Sequence, residues 1–319
     1  MKLYAQVPLE KGQRPIDYKS KVLLLGSCFA ENMSAKLDYY KFEVLQNPFG
    51  ILFHPLAIET FLERVVQQRS YLAEDIFEHN ELWHCFDAHS RLSSLSQQEL
   101  LEKLNSALRK TGAFLEEASH VCITLGTAWV YHHTKKAQNV ANCHKVPQKE
   151  FDKNLLSPKV LIQSLERIVS LLNSFHNPPQ LLFTISPVRH LKDGFVENQR
   201  SKGHLIHALH HLLEQNTSGD IAYFPAYEIV MDELRDYRFY GKDLVHPNAL
   251  AVDYLWEKFT ETWVSEDAKR TMKEIEGIQK GMAHRPQNLD SQANVAMQKQ
   301  LAAKIEYLQE RYPRIKFDS

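Results

Sequence analysis

Four short apolar runs, each followed by a helical pattern, constrain the fold of this chain more than any other feature. The runs are KVLLLG at 21–26, HVCITLG at 120–126, QLLFTISP at 180–187 and IAYFPA at 221–226. Each has the length of a strand buried on both faces and ends at a Gly, a Pro or a small residue. Strands that alternate with helices predict a doubly wound, flavodoxin-like α/β fold, with a mostly parallel sheet flanked by helices.

The helical patterns carry their own start signals. A capping-box pattern begins at Ser96, and Ser157 can cap a helix with Pro158 at its first position. A third helix is predicted over 198–215, and a fourth is predicted to begin at Pro247.

Beyond residue 265 the chain is charged and helical, and it lacks strand-like runs. We therefore predict one α/β domain over 1–265 and a helical C-terminal extension over 266–319 that packs on it. With 319 residues, 44 % of them hydrophobic, the chain has enough apolar material for a large core.

Composition excludes several classes of partner. The 38 basic and 39 acidic residues give a net charge of -1, so no long-range field attracts nucleic acid or an anionic membrane. No stretch approaches the ~20 apolar residues of a membrane span, and residues 1–19 contain no apolar run of the length that a secretory signal requires, so we expect none. The four cysteines form no C-x-x-C pair, which argues against a disulfide framework and a zinc ribbon. We expect a cytoplasmic protein with no nucleic-acid or membrane partner, and its oligomeric state stays open.

Two adjacent residues that can act as nucleophiles follow the first predicted strand. Ser27 and Cys28 come directly after Gly26, which allows a tight turn into a helix. The start of a helix favours negative charge, so this position predicts a lowered pKa for the Cys28 thiol. The alternatives are that Ser27 only caps the helix and that Cys28 only fills space beneath the strand.

A second candidate group lies near the other end of the α/β region. Asp243 and His246 stand in a D-x-x-H arrangement directly before the predicted fourth helix. The carboxylate can orient the imidazole, which can then take a proton from a nucleophile and return it to a leaving group. A surface loop that caps the helix is the alternative interpretation.

Several longer strings resemble one known family. The string GSCFAEN, followed by NPFGILFHPLAIE, resembles the GSCFA family, a largely uncharacterised bacterial group within the SGNH/GDSL hydrolase superfamily. The resemblance extends over nearly the whole chain through WHCFDAHS (83–90), LGTAWVY (125–131), NCHK (142–145), TISPVRHLKDGFVENQRSK (184–202), DLVHPN (243–248) and HRP (284–286).

The resemblance implies roles for the two candidate groups and an SGNH-type sheet. The superfamily's Gly-Asp-Ser block falls on Gly26, Ser27 and Cys28, which puts Cys28 at the nucleophile position and leaves Ser27 as second choice. The superfamily's Asp-x-x-His block matches Asp243 and His246 without change. A thiol beside a histidine is a competent acyl-transfer nucleophile.

The resemblance also implies an oxyanion hole. Its glycine resembles Gly50, with Asn47 nearby as an amide donor. The superfamily's Gly-x-Asn-Asp block corresponds to the segment from Gly126 to Trp129, which lacks the asparagine, so Thr127, Asn47 or a backbone N–H has to substitute.

The implied activity is acyl-ester hydrolysis or acyl transfer, with a carbohydrate ester as the substrate that the superfamily favours. We expect no cofactor, although a transferase would take an acyl thioester as donor. The alternative is a catalytically silent protein that holds a small molecule or glycan in the same crevice.

Four further residues are expected to contact substrate. Trp129 and Arg189 follow predicted strands, His89 lies in a segment expected to line the crevice, and His144 lies in a loop expected near the site. Arg189 in particular suits a carboxylate or a phosphate. Cys85, Asp87 and His89 would share one side of an extended segment and form a conceivable zinc set, but we favour a crevice-lining hairpin or loop and expect no metal.

Overall fold

The computed structural model describes residues 5–216, 219–285 and 291–317. Its strands are β1 (Lys21–Gly26), β2 (Glu43–Gln46), β3 (Ile76–His79), β4 (Leu82–Cys85), β5 (His120–Leu125), β6 (Trp129–His133), β7 (Gln138–Val140), β8 (Phe151–Leu155), β9 (Gln180–Ile185) and β10 (Ile221–Tyr223). Its α-helices are α1 (Cys28–Tyr39), α2 (Pro55–Val66), α3 (Gln97–Leu115), α4 (Pro158–Asn173), α5 (Phe195–Gln215), α6 (Ala226–Glu228), α7 (Ala249–Trp263), α8 (Glu266–Ala283) and α9 (Gln292–Arg311).

The central sheet confirms the predicted fold class. Five parallel strands lie in the order β10-β9-β5-β1-β2, and the four predicted strands are β1, β5, β9 and β10. The chain proceeds from β1 outward to β2 and then returns past β1 to β5. The order therefore reverses between β1 and β5, and in such sheets the crevice at the carboxyl ends of the strands beside this reversal is the usual ligand site.

Apolar side chains cover both faces of this sheet. One core cluster packs helices α2 to α5 on the first face, and a second packs α1, α7 and α8 on the other. Ile275 and Ile278 of α8 and Leu308 of α9 belong to the second cluster together with Phe29 of α1. The C-terminal helices are thus part of the core of this face. No described helix is long and apolar enough to cross a membrane.

Two small sheets are inserted near the carboxyl ends of the central strands. Strands β3 and β4 form an antiparallel hairpin, which confirms the hairpin interpretation of the segment around Trp83. Strands β7, β6 and β8 form a second antiparallel sheet between β5 and α4.

Two of the predicted helix starts agree with the structure, and two differ: α5 begins at Phe195, three residues before the predicted 198, and the start of α7 also differs. Ser96 and Ser157 cap α3 and α4. The predicted start at Pro247 is wrong: α7 begins at Ala249 with Asn248 as its cap, because Pro247 pairs with Tyr240 in an isolated bridge. Of the HRP string, Pro286 lies outside the described residues.

Candidate active site

Gly26 ends β1 in a conformation that only glycine adopts readily. Its φ is +121°, and a Cβ there would lie 2.1 Å from the Thr124 carbonyl oxygen on β5. The Ser27 N–H donates to that same oxygen at 3.1 Å, and the Gly26 N–H donates to Asn47 Oδ1 at 2.9 Å. The turn is therefore fixed from both sides, and it presents the first residue of α1, Cys28, at the carboxyl end of β1.

The structure separates the two candidate nucleophiles by exposure. Ser27 is completely buried, and its Oγ accepts the Phe29 N–H at 3.4 Å as the cap of α1. Cys28 is only partly buried and is a free thiol. A substrate can therefore reach Cys28 more readily than Ser27.

The expected lowering of the Cys28 pKa is wrong. Burial raises the pKa of this thiol above its ordinary value, and the Glu31 carboxylate on the next turn raises it further. The N–H groups of the helix start and the Lys202 ammonium act in the opposite direction and are outweighed. Cys28 consequently rests as a thiol and requires a base before it can attack.

Asp243 and His246 form the contact that their spacing predicts. Asp243 Oδ2 lies 2.7 Å from His246 Nδ1, while Oδ1 accepts the N–H groups of Val245 and His246. These hydrogen bonds to backbone and imidazole hold the pKa of the Asp243 carboxyl well below its ordinary value. A carboxylate in this position favours the tautomer with hydrogen on Nδ1, which leaves the Nε2 lone pair as the base. Both side chains are about half exposed, at 52 % each.

Arg189 holds the loop that carries this pair, a role that differs from the predicted contact with a substrate anion. Its guanidinium donates to the Leu244 carbonyl at 2.5 Å and stacks 4.1 Å from the centre of the Tyr240 ring. Its backbone N–H donates to the Val245 carbonyl at 3.2 Å. These contacts attach the Asp243–His246 loop to the segment after β9, so both candidate groups lie at the carboxyl end of the sheet.

A buried lysine completes this end of the sheet. Lys202 of α5 is 1 % exposed, and its Nζ donates to the Gly126 and Ser186 carbonyls at 2.8 and 2.7 Å. These carbonyls directly follow β5 and β9. Burial lowers the pKa of Lys202 to about 7, and the neighbouring Cys28 opposes that shift.

His190 lies beside this lysine. Its Nε2 is buried without a hydrogen-bond partner among the described residues and lies 3.4 Å from where a Cβ on Gly126 would be. Burial lowers its pKa to about 3, and the charges of Lys202 and His246 contribute to the shift. His190 is therefore a neutral group that lies close enough to both Lys202 and His246 for their charges to affect it.

Of the three proposed oxyanion donors, Asn47 is the one whose donor group is unpaired among the described residues. Asn47 Nδ2 is buried and has no partner within the described part of the chain, and its Oδ1 already binds the Gly26 turn. The Gly50 N–H donates to the Asn47 carbonyl at 2.7 Å. Thr127 donates its N–H to the Phe53 carbonyl, and its hydroxyl contacts Ser201 and accepts the Trp129 N–H. The backbone donor predicted at Gly50 is thus occupied in this structure, as are the groups predicted at Thr127.

The remaining predicted contact residues lie at different depths. His89 packs against Gly50, whose φ of +71° and lack of a Cβ allow that approach. Trp129 is half-buried, and its indole N–H donates to the Glu197 carbonyl at 3.3 Å. His144 is 5 % exposed, its Nε2 lies 2.7 Å from the Cys85 carbonyl, and burial lowers its pKa to about 4. His144 therefore serves the packing of the β3–β4 hairpin more than the crevice.

The conceivable zinc set is dispersed into other contacts. Cys85 is 2 % exposed in the core, and Asp87 accepts the Tyr71 hydroxyl hydrogen and pairs with Arg64 at 3.6 Å. Within the described ranges, no group of three or more His, Cys, Asp or Glu side chains has the arrangement of a metal site.

Comparison with models of protein families shows to which family this chain belongs. The model of the GSCFA family matches residues 21–259, which is most of the sequence. The chain belongs to the GSCFA family. A second model, the C-terminal domain of GSCFA domain proteins, matches residues 275–319 and so covers the second half of α8 and all of α9. A search of curated proteins found no match.

In this GSCFA protein, the sequence prediction missed the role of Lys202 and its neighbour His190. Neither was assigned a role, although both lie in the string TISPVRHLKDGFVENQRSK at 184–202. A signal was nevertheless present, because Lys202 lies three and seven positions before Leu205 and Leu209 on the buried face of α5. A lysine in the apolar stripe of a helix is a buried charge that calls for an explanation.

Proposed function

We propose that this GSCFA protein is an acyl-ester hydrolase or acyltransferase of the SGNH/GDSL type, with Cys28 as its nucleophile. The observation that carries the proposal is the pairing of His246 with Asp243 in a loop that Arg189 attaches to the same end of the sheet as Cys28. The strand order, with the nucleophile after the first strand and the histidine loop after the last, supports the superfamily assignment.

The arrangement supplies the groups that acyl transfer needs. The Cys28 sulfur attacks the acyl carbon, and the carbonyl electron pair moves onto oxygen. Asn47 Nδ2 and the N–H groups at the start of α1 can donate to that oxygen, and one such donor contributes ~3 kcal/mol in the transition state. His246 takes the proton of the Cys28 thiol, delivers it to the leaving group and then removes a proton from water or an acceptor hydroxyl. Thioesters react readily with thiolates, so an acyl thioester is a suitable donor, and a carbohydrate hydroxyl is a suitable acceptor.

A catalytically silent binding protein is the second candidate. The raised pKa of the Cys28 thiol and the absence of the superfamily's asparagine after β5 favour it. In that case the crevice would hold a small molecule or glycan without forming a covalent bond.

Release of p-nitrophenol from p-nitrophenyl acetate by the full chain distinguishes the two. We expect turnover, and we expect Cys28→Ala and His246→Ala to reduce it at least ~100-fold while circular dichroism and the melting temperature stay near wild type. Ser27→Ala is the neighbouring control, and the folded variant should turn over p-nitrophenyl acetate at the wild-type rate. Loss of turnover in Ser27→Ala with retention in Cys28→Ala would assign the nucleophile to Ser27, and no turnover with any of several acyl donors would favour the binding protein.

A further inference from the structure

Lys202 is a buried cationic side chain whose contacts are unusual. Both hydrogen bonds of its Nζ go to backbone carbonyls, those of Gly126 and Ser186, and no carboxylate pairs with it in the part of the chain that the structure describes. The only aromatic ring beneath the ammonium is that of Tyr227 among the described residues, 5.5 Å from its centre. A buried, unpaired ammonium is costly, which favours the neutral amine.

The neutral amine fits this position without rearrangement. An amine has two hydrogens and one lone pair, and the two carbonyls accept both hydrogens. The lone pair is left free to accept a proton. Once protonated, the same nitrogen gains a third N–H in that direction, which can donate to an anion.

The sheet register brings Cys28 and this nitrogen to the same end of the adjacent strands β1 and β5. Gly26 on β1 pairs with Thr124 on β5, and Ser27 donates its N–H to the Thr124 carbonyl. Gly126, whose carbonyl binds Lys202, is two residues further along the same strand end. In agreement with this placement, Cys28 and Lys202 each shift the ionisation of the other.

We propose that Lys202 is the catalytic base for Cys28, so that the amine of Lys202 takes the thiol proton and the resulting ammonium holds the thiolate. The S–H bond breaks, its electron pair stays on sulfur, and the new N–H bond forms from the nitrogen lone pair. The thiolate then attacks the acyl carbon. When the intermediate collapses, the leaving group takes the proton from the Lys202 ammonium. His246 then removes a proton from the attacking water or acceptor hydroxyl, and this proton passes to the Cys28 sulfur when the thioester is cleaved, so that thiol, amine and imidazole are all regenerated. This inference rests on the proposed acyl transfer and gives to Lys202 the step that the D-x-x-H pattern alone would give to His246.

Other charged groups face this pair and set its pH dependence. Glu31 on α1 opposes thiolate formation, whereas the N–H groups of the α1 start favour it. Burial lowers the pKa of the neighbouring His190, and the charges of both Lys202 and His246 lower it further. The phenol of Tyr227, whose ring lies beneath Lys202, has a raised pKa because of burial and stays neutral.

The rate at which iodoacetamide alkylates Cys28 tests the inference without any acyl substrate. The variant Lys202→Gln keeps an NH₂ group for the two carbonyls but has neither a basic lone pair nor a charge. We expect its Cys28 alkylation at about pH 8 to be at least ~10-fold slower than in wild type, measured on the Cys28 peptide by mass spectrometry. Lys258→Met is the matched control, since Lys258 also lies over a tyrosine ring, 5.3 Å from that of Tyr254, but outside the crevice.

The outcomes separate this inference from the proposed function. Slower alkylation in Lys202→Gln, with a normal rate in His246→Gln, supports Lys202 even if no acyl ester is ever turned over. Equal rates of Cys28 alkylation in wild type and Lys202→Gln would overturn the role of Lys202 even if turnover is found. Slower alkylation in His246→Gln, with a normal rate in Lys202→Gln, would also overturn it.

A second measurement leaves Lys202 in place in case Lys202→Gln does not fold. Coupling between two sites is reciprocal, so removal of the thiol by Cys28→Ala must lower the pKa of Lys202. Nuclear magnetic resonance of ¹³C-labelled lysine side chains measures that pKa directly. An unchanged Lys202 titration in Cys28→Ala would overturn the proposal.

Discussion

Substitution of Gly26 by alanine tests whether the turn after β1 is as constrained as its geometry indicates. The φ of +121° is a conformation that costs a residue with a Cβ about 1–3 kcal/mol. In addition, the new Cβ would lie 2.1 Å from the Thr124 carbonyl oxygen and 2.8 Å from its carbon, so β1 and β5 must separate. Loss of the Ser27–Thr124 hydrogen bond adds about 1 kcal/mol. We therefore expect these two contributions to reduce the free energy of unfolding of Gly26→Ala by about 2–4 kcal/mol, and the separation of the strands to add to that loss.

Urea denaturation followed by circular dichroism measures this loss, and Gly277→Ala is the matched control. Gly277 lies within α8, and a Cβ there meets no atom within 4 Å, so alanine should stabilise the protein by about 0.5–1 kcal/mol. A Gly26→Ala protein within about 1 kcal/mol of wild type, with Cys28 alkylated at the normal rate, would refute the reasoning.

Three further expectations concern the loop, the pH dependence and the orienting carboxylate. Arg189→Lys loses the planar contact with Tyr240, so amide hydrogen exchange in residues 237–246 should become at least ~10-fold faster; unchanged exchange would contradict the anchoring role. Burial lowers the pKa of His54 to about 4, below its unfolded value near 6.5. As the pH falls from 7 to 5, His54 takes up a proton in the unfolded state before it does so in the folded state. The free energy of unfolding of wild type should therefore fall by about 2 kcal/mol more than that of His54→Asn, as measured by urea titrations at both pH values. A matching loss in His54→Asn would count against this. Asp243→Asn should reduce p-nitrophenyl acetate turnover at least ~100-fold without unfolding the protein, and a smaller effect would show that His246 needs no carboxylate to orient it.

The central fold follows from the sequence because its strands are buried on both faces. Runs such as 21–26 and 120–125 have no polar alternation, and this distinguishes parallel strands under helices. Strand β2 escaped prediction because its four residues are all half-exposed at the sheet edge. The sheet of β6, β7 and β8 was not predicted, because the alternation of polar and apolar residues in its strands is too short to distinguish them from a loop.

The candidate site was predictable where its geometry is local. Asp243 and His246 are three residues apart, so their contact depends on one short loop. Lys202 meets the ends of two strands that are 16 and 76 residues away, and that contact exists only once the sheet has formed. The ionisation of Cys28 was predicted in the wrong direction because helix-start effects can be inferred from sequence, whereas burial beneath neighbouring elements cannot.

The position of a trapped acyl group tests the central claim most directly. The full chain is mixed with p-nitrophenyl acetate, quenched in acid and digested, and each cysteine peptide is weighed by mass spectrometry. The account predicts one acetyl group as a thioester on Cys28, formed in wild type and in Ser27→Ala and released by hydroxylamine. Acetylation spread over Cys143 and surface lysines, with none on Cys28, would contradict it.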